Sequence, residues 1–262
     1  MTVFPRKYPV EQSEPPLSPR ETLPTMYDLP SENPEEPGLP DEDHDLQPAL
    51  LRRTFLPPNY PPELVFSGSA LNLYYDVRHQ NWYKRPDWFG VVGVPRLYDG
   101  HDLRMSYVIW QEGVAPFVVV ELLSPGTEKE DLGETQKKKN QPPTKWEVYE
   151  QILRVPYYIV FNRYTDELRA FTLLSGRYQE LNLTEPRIWM PQIELGLGLW
   201  QGEYQGIERI WLRWYDAEGN WIPTDTEAAL QRTEAAQKQA EMERQRAEAA
   251  VALKNWRSDC GN

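Results

Sequence analysis

The stretch FVVVELL, residues 117–123, consists of six apolar residues and one acid. Its first four residues are aromatic or β-branched, without alternation, which is the pattern of a central strand covered on both faces. Glu121 follows at the far end of this run. A carboxylate that ends a buried strand is costly unless it is paired or binds a metal. The stretch therefore predicts the middle of a sheet and one candidate site residue.

The segments that follow it predict a parallel crossover. Residues 144–153 place apolar side chains at helical spacing, and residues 157–161 form a second apolar run. A strand, a helix and a strand in this order favour a right-handed connection between parallel strands.

The flanking segments extend the sheet. A short helix is predicted from His44 to Phe55, where leucines recur at helical spacing. Ser175 and Gly176 separate two apolar runs and predict a hairpin. Further strands are predicted at 71–76, 88–94, 107–110, 168–174 and 177–183. The aromatic-rich segments around Leu199 and at 210–215 either add strands or cover the sheet.

Composition divides the chain into three predicted parts. Residues 1–43 form an arm rich in Pro, Glu and Asp, which buries too little apolar surface to form a core. Residues 44–223 form an α/β domain. Residues 224–262 form a long charged helix, opened by a Thr224/Glu227 capping box. Its apolar positions are mostly Ala, so coiled-coil self-association and a solitary or docked helix both remain open.

Charge and cysteine content limit the function classes. A net charge of -12 argues against a large non-specific DNA-binding surface, although a metal can supply positive charge at a small site. The single cysteine, Cys260, excludes a disulfide framework within one chain and fits a reducing, cytoplasmic setting. Neither a signal peptide nor a membrane span is predicted.

Two acids stand at predicted strand ends. Asp87 follows Pro86 where one strand begins, and Glu121 ends the central strand. Carboxylates from neighbouring strand ends can converge on Mg²⁺, which prefers oxygen ligands. A lysine on the next helix could stabilise negative charge or orient water there.

These residues resemble a restriction-endonuclease family of the PD-(D/E)XK nuclease superfamily. The resemblance covers roughly residues 44–185. It rests on Arg85-Pro86-Asp87, on VVVELLSPGT at 118–127, on DLGE at 131–134, on Lys145 with Tyr149, and on VPYYIV at 155–160.

The resemblance implies a restriction endonuclease-like core with a mixed central sheet, flanking helices and a site that hydrolyses phosphodiester bonds with Mg²⁺ or Mn²⁺. Asp87 and Glu121 match the metal-binding acids, and the carbonyl of Leu122 would be a further ligand. Asp87, Glu121 and Lys145 would form the catalytic set. The superfamily lysine usually stands where this chain has Leu123, and Lys145 on the next helix takes its place.

The chain departs from that pattern in two places. An insert at 135–143 precedes Lys145, so Lys137, Lys138 or Lys139 compete for the lysine role. The Pro-rich arm replaces the usual N-terminal segment, so the family's N-terminal acid is either missing or supplied by Glu36 or Asp41. Asp131 either caps the insert or supports the site.

Two functions follow as hypotheses. The first is a metal-dependent endonuclease whose partner is nucleic acid, most simply DNA. The second is a non-catalytic nuclease-like scaffold that binds partners or a second copy of itself through the C-terminal helix. The tryptophans mostly suit a core, although Trp82 or Trp88 near the cleft could stack on bases.

Overall fold

The structure is a computed structural model that describes residues 41–124, 128–135 and 141–259. Most of the predicted arm, including Glu36, lies outside the described residues, as do Lys137, Lys138, Lys139 and Cys260. The helices are α1 (Asp43–Thr54), α2 (Ile109–Glu112), α3 (Glu128–Asp131), α4 (Lys145–Glu147), which continues as a π-helix (Val148–Ile152), and α5 (Asp225–Asp259). A 3₁₀ turn spans Pro62–Leu64.

The strands form three sheets. They are β1 (Val65–Gly68), β2 (Leu73–Tyr74), β3 (Tyr83–Lys84), β4 (Trp88–Val92), β5 (Tyr107–Val108), β6 (Val118–Leu122), β7 (Tyr157–Asn162), β8 (Glu167–Leu174), β9 (Arg177–Glu180), β10 (Arg187–Met190), β11 (Leu195–Tyr204) and β12 (Ile207–Tyr215). The main sheet has six strands in the order β1-β4-β6-β7-β8-β9, and β10-β11-β12 and β3-β2-β5 form two smaller sheets.

The main sheet is mixed, and β6 lies inside it as predicted. Strand β6 runs parallel to β7 and antiparallel to β4, which confirms the predicted crossover. All five residues of β6 are buried. The chain is therefore an α/β protein with a mixed central sheet, flanking helices and a C-terminal helix.

Alternation along β6 separates two core clusters. Val118, Val120 and Leu122 pack on one face with residues of β10–β12. Val119 packs on the other face with Tyr149 and with side chains of the β3-β2-β5 sheet. Because side chains alternate along a strand, Glu121 shares the face of Val119 and points toward the helix that starts at Lys145.

Several predicted elements are shorter than the patterns suggested. The strands expected at 71–76 and 107–110 are only two residues long, and the second passes into α2 at Ile109. Strands β1, β3 and β10 were not predicted. The helix expected at 144–153 begins with a capping box between Thr144 and Glu147 but widens into a π-helix at Val148.

The C-terminal helix is confirmed, and its contact with the body is at its first turn. Thr224 and Glu227 form the predicted capping box. The buried guanidinium of Arg213 binds the Glu227 carboxylate and the carbonyl of Ile222. From residue 229 to residue 250 every side chain is exposed. At 35 residues, α5 is about 52 Å long.

None of the helices in the described ranges is both long enough and apolar enough to pass through a bilayer.

Candidate functional site

Asp87 and Glu121 meet because their strands are neighbours. Trp88 of β4 lies opposite Val120 of β6, so Asp87 stands beside Glu121. The Asp87 backbone N–H donates to Oε2 of Glu121 at 3.3 Å. In return, the Leu122 backbone N–H donates to Oδ2 of Asp87 at 2.7 Å. These two hydrogen bonds hold both acids at one end of the sheet.

Lys145 reaches the same point from the start of α4. Its Nζ donates to Oε2 of Glu121 at 3.2 Å and to Oδ1 of Asp131 at 2.7 Å. The capping box at Thr144 fixes the helix start, and the Lys145 backbone N–H donates to Glu130 at 3.2 Å. The structure thus brings Asp87, Glu121 and Lys145 together, and it places Asp131 beside the lysine, whereas most of the insert lies outside the described residues.

Two tyrosine hydroxyl groups donate hydrogen bonds to the acidic residues of the cluster. Tyr149, one helical turn after Lys145, donates its hydroxyl to Oε1 of Glu121 at 2.9 Å. Tyr158 of β7 donates to the backbone carbonyl of Asp131 at 2.8 Å. Both oxygens of Glu121 are therefore engaged, and its carboxyl group has a single orientation.

His44 is a site residue that the sequence did not reveal. Its Nε2 lies 3.2 Å from the Leu122 carbonyl oxygen and 3.9 Å from Oδ2 of Asp87. Its Nδ1 lies 2.9 Å from Oδ1 of Asp41, which also binds Arg163. Asp41 was one of the two acids proposed for the N-terminal position, and it reaches the site through His44.

Charge in this cluster is unbalanced. Three carboxyl groups, those of Asp87, Glu121 and Asp131, surround one ammonium group. Burial, reinforced by the charges of Asp131 and Asp87, raises the pKa of Glu121 despite the opposing effect of Lys145. Burial alone would lower the pKa of Lys145, but Glu121, Asp131 and Asp87 outweigh it and raise that pKa. The lysine stays charged, and the cluster favours an additional positive charge.

Nearby acids also raise the pKa of His44. Burial tends to lower its pKa, whereas the hydrogen bond to Asp41 and the charge of Asp87 raise it, and the net direction is upward. In the protonated form, both ring nitrogens can donate, to Asp41 and to the Leu122 carbonyl.

The donor set fits a divalent cation in part. Across the described ranges, no three side chains of His, Cys, Asp or Glu are gathered closely enough to bind a metal ion. Two carboxylates and the Leu122 carbonyl nevertheless offer the oxygen donors that Mg²⁺ and Mn²⁺ accept. The Asp87 side chain is 22% exposed and that of Glu121 is 0% exposed, so a cation arriving from solvent meets Asp87 first. Excess negative charge and oxygen donors are the two features of the cluster that a divalent cation would use.

The mixed sheet with two acids and a lysine at one end defines a nuclease-like class of protein. A scan against protein families matches residues 17–204 to Uma2, described as "Putative restriction endonuclease". The chain belongs to this family. A search of curated proteins found no match.

Proposed function

We propose that this protein is a Mg²⁺- or Mn²⁺-dependent endonuclease that hydrolyses phosphodiester bonds in DNA. The observation that carries the proposal is the cluster in which Asp87, Glu121 and Lys145 meet, because two acids and one cation at a strand end suit metal-assisted phosphate chemistry. Membership of a family described as restriction endonucleases supports it.

Each residue has a proposed role. The bound cation would supply Lewis-acid charge and lower the pKa of a bound water. Asp87, Glu121 and the Leu122 carbonyl would hold it. Lys145 would stabilise negative charge on the scissile phosphate, because its ammonium group is already fixed and needs no reorganisation. Tyr149 keeps Glu121 in one orientation.

Plasmid nicking tests the activity. Purified protein with Mg²⁺ or Mn²⁺ should convert supercoiled plasmid to open circles, and Glu121→Gln should not. Glu180→Gln is a matched control, since Glu180 pairs with Arg169 and lies on edge strand β9, three strands away from β6. Equal nicking by wild type and Glu121→Gln would refute the assignment of Glu121.

A second candidate function is a non-catalytic scaffold that acts through α5. It is favoured by the run of exposed side chains from residue 229 to 250, which leaves a long helix available to a partner or to a second copy. Calorimetric titration with Mn²⁺ separates the two candidates. Binding that is lost in Asp87→Ala but kept in Asp45→Ala, an exposed acid of α1, favours the nuclease. Absence of Mn²⁺ binding in the wild type favours the scaffold.

We also propose the three-part organisation predicted above, with an arm at 1–43, a nuclease-like domain at 44–223 and the helix at 224–262, in a cytoplasmic protein. The first turn of α5 contacts the body through Glu227, so the boundary at 223/224 divides residues that touch each other.

A further inference from the structure

The outer face of the small β3-β2-β5 sheet carries three clustered aromatic rings. Tyr74 and Tyr83 lie opposite each other in the register of β2 and β3, with ring centroids 5.4 Å apart. Trp110 of α2 packs edge-on against Tyr74 at 6.5 Å. The side chains of Tyr83 and Trp110 are 45% and 37% exposed. We call these three residues the aromatic platform.

The packing of this sheet against the core does not depend on the platform rings. The inner face of the same sheet already packs through Leu73 and Tyr107, both fully buried, so the sheet is anchored from that side. Large aromatic residues that are grouped and partly exposed mark surfaces that bind something. The platform therefore calls for a ligand with flat apolar surfaces.

The platform lies on the face of edge strand β3 opposite the proposed catalytic site, and only a short length of chain separates the two. Lys84 follows Tyr83 and points to the opposite face, where its Nζ donates to Glu130 at 3.1 Å. Glu130 in turn accepts from the Lys145 backbone at 3.2 Å. Asp87 comes four residues after Tyr83, so at most about 14 Å of extended chain separates the two Cα atoms. A bound strand a few nucleotides long could reach both.

Two exposed arginines lie near the platform and can contact a phosphate. The other two basic residues of 77–86 are paired with acids, since His79 lies 2.8 Å from Asp76 and Lys84 lies 3.1 Å from Glu130. Arg78 is 83% exposed at its side chain and contacts Asp76 at 3.4 Å, whereas Arg85 is exposed and donates to Asn72, which precedes β2. Phosphates suit these cations, and unpaired bases suit the rings.

We propose that the aromatic platform binds unpaired bases of single-stranded DNA next to the catalytic site. The proposal rests on the proposed nuclease function for its choice of ligand. A duplex keeps its bases stacked inside and can offer this surface only phosphates, so the platform distinguishes single strands from duplexes. Trp88 does not take part, because it is fully buried, and Trp82 has one face covered by the His79 ring at 3.8 Å.

Binding of a dye-labelled 12-nucleotide single strand, followed by fluorescence anisotropy in EDTA, tests the platform without cleavage. Tyr83→Ala and Trp110→Ala should each weaken binding by about tenfold, the loss typical of one stacked base. Tyr83→Phe keeps the ring and should bind like wild type. Binding of the matching duplex should change less than twofold.

Matched controls exist on the β10-β11-β12 sheet and the β7-β8 turn. Trp189 is 38% exposed, nearly the same fraction as Trp110, and Tyr164 is 61% exposed. Trp189→Ala and Tyr164→Ala should leave single-strand binding unchanged, and thermal melting of every variant confirms that it folds. The proposal is overturned if the platform variants bind within twofold of wild type or lose duplex binding equally. It is also overturned if these variants lower the mass measured by light scattering, which would make the platform an interface between copies.

The two proposals fail separately. Loss of single-strand binding in the platform variants, with no nicking by the wild type under Mg²⁺ or Mn²⁺, retains the platform and removes the nuclease. Nicking that depends on Glu121, with unchanged single-strand binding in the platform variants, retains the nuclease and removes the platform.

Discussion

Glu121 should make the stability of the metal-free protein depend on pH. Its folded-state pKa is raised above the ordinary value of 4.5, so the folded state holds this proton more tightly than the unfolded state. The resulting stability is complete below about pH 4.5 and is lost as pH rises through the folded-state pKa. Glu121→Gln cannot ionise and should keep that stability. In EDTA, the melting temperature of Glu121→Gln relative to that of wild type should therefore increase as the pH rises from 5 to 8. A difference that is constant, or that moves the other way, contradicts the raised pKa.

Lys145 should matter to stability as well as to chemistry. Lys145→Met leaves the buried carboxyl groups of Glu121 and Asp131 without their shared cation. Removing one partner of a buried pair costs about 3–5 kcal/mol, so urea unfolding at pH 7 should show a loss of that order. Plasmid nicking should fall by about 100-fold or more. Lys145→Arg keeps the charge and should retain more stability than Lys145→Met. Equal stability of wild type and Lys145→Met would show that the carboxyl groups do not depend on the lysine.

His44 should strengthen metal binding. Its Nε2 lies 3.2 Å from the carbonyl oxygen of Leu122, which is a proposed metal ligand, and its Nδ1 lies 2.9 Å from Asp41, which orients the ring. Residues that hydrogen-bond to a metal ligand orient it and strengthen metal binding. We expect His44→Ala to weaken Mn²⁺ binding by about 10–100-fold in calorimetry. His79→Ala, on an exposed loop, is the control. Unchanged affinity in His44→Ala would leave His44 with a structural role only.

These residues also show how far sequence alone reaches. Glu121 stands out because it interrupts a buried apolar run, and Asp87 and Lys145 follow from the order of elements and from the family resemblance. His44 has no such local signal, since it contacts a backbone carbonyl 78 residues away in the chain. A contact of that range depends on how α1 docks, which periodicity does not encode.

At the scale of elements, long regular segments were predictable and short ones were not. The hairpin at Ser175 and Gly176 and the β6–β7 crossover each have a strong pattern and were found. Strands β2, β3 and β5 are two residues long and are defined by pairing with one another, so the sequence located β2 and β5 but overestimated their length, and it missed β3. The π-helix at Val148–Ile152 likewise leaves the helical spacing of apolar residues nearly unchanged.

One buried side chain of α1 joins the helix to β12 by two hydrogen bonds. Gln47 is fully buried, donates to the Leu212 carbonyl at 2.9 Å and accepts from the Leu212 backbone N–H at 2.8 Å. It thereby satisfies the open edge of β12. Gln47→Leu should leave both backbone groups without partners, at a cost of about 1–3 kcal/mol for each.

Urea unfolding of Gln47→Leu measures that loss, with Gln151→Leu on the exposed side of the π-helix as the control. Because α1 also carries His44, Mn²⁺ affinity should fall with stability in Gln47→Leu. A variant that is destabilised but binds Mn²⁺ as wild type does would show that α1 keeps its position without this bond.

At the scale of the whole molecule, composition identified α5 as a helix but left its purpose open. Ala, Glu, Gln, Lys and Arg favour a helix in any setting, and Ala on the apolar positions gives little indication of a partner. The side chains from residue 229 to residue 250 are all exposed, so the body of this chain does not stabilise this part of α5. A partner helix, or side-chain pairs along the helix such as Glu241 with Arg244, must contribute instead.

Truncation tests self-association, and the structure determines where to cut. A chain that ends at Pro223 loses Glu227 and leaves the buried guanidinium of Arg213 with only the Ile222 carbonyl and the Trp200 ring. A chain that ends at Gln231 keeps the capping box and the ion pair. The first truncation should melt well below the full chain, whereas the second should melt close to it.

If α5 mediates self-association, light scattering should show a dimer or larger species for the full chain and a monomer for the chain ending at Gln231. The same mass for both would exclude α5 as the self-association element, and equal melting of the two truncations would show that the Arg213–Glu227 pair is dispensable.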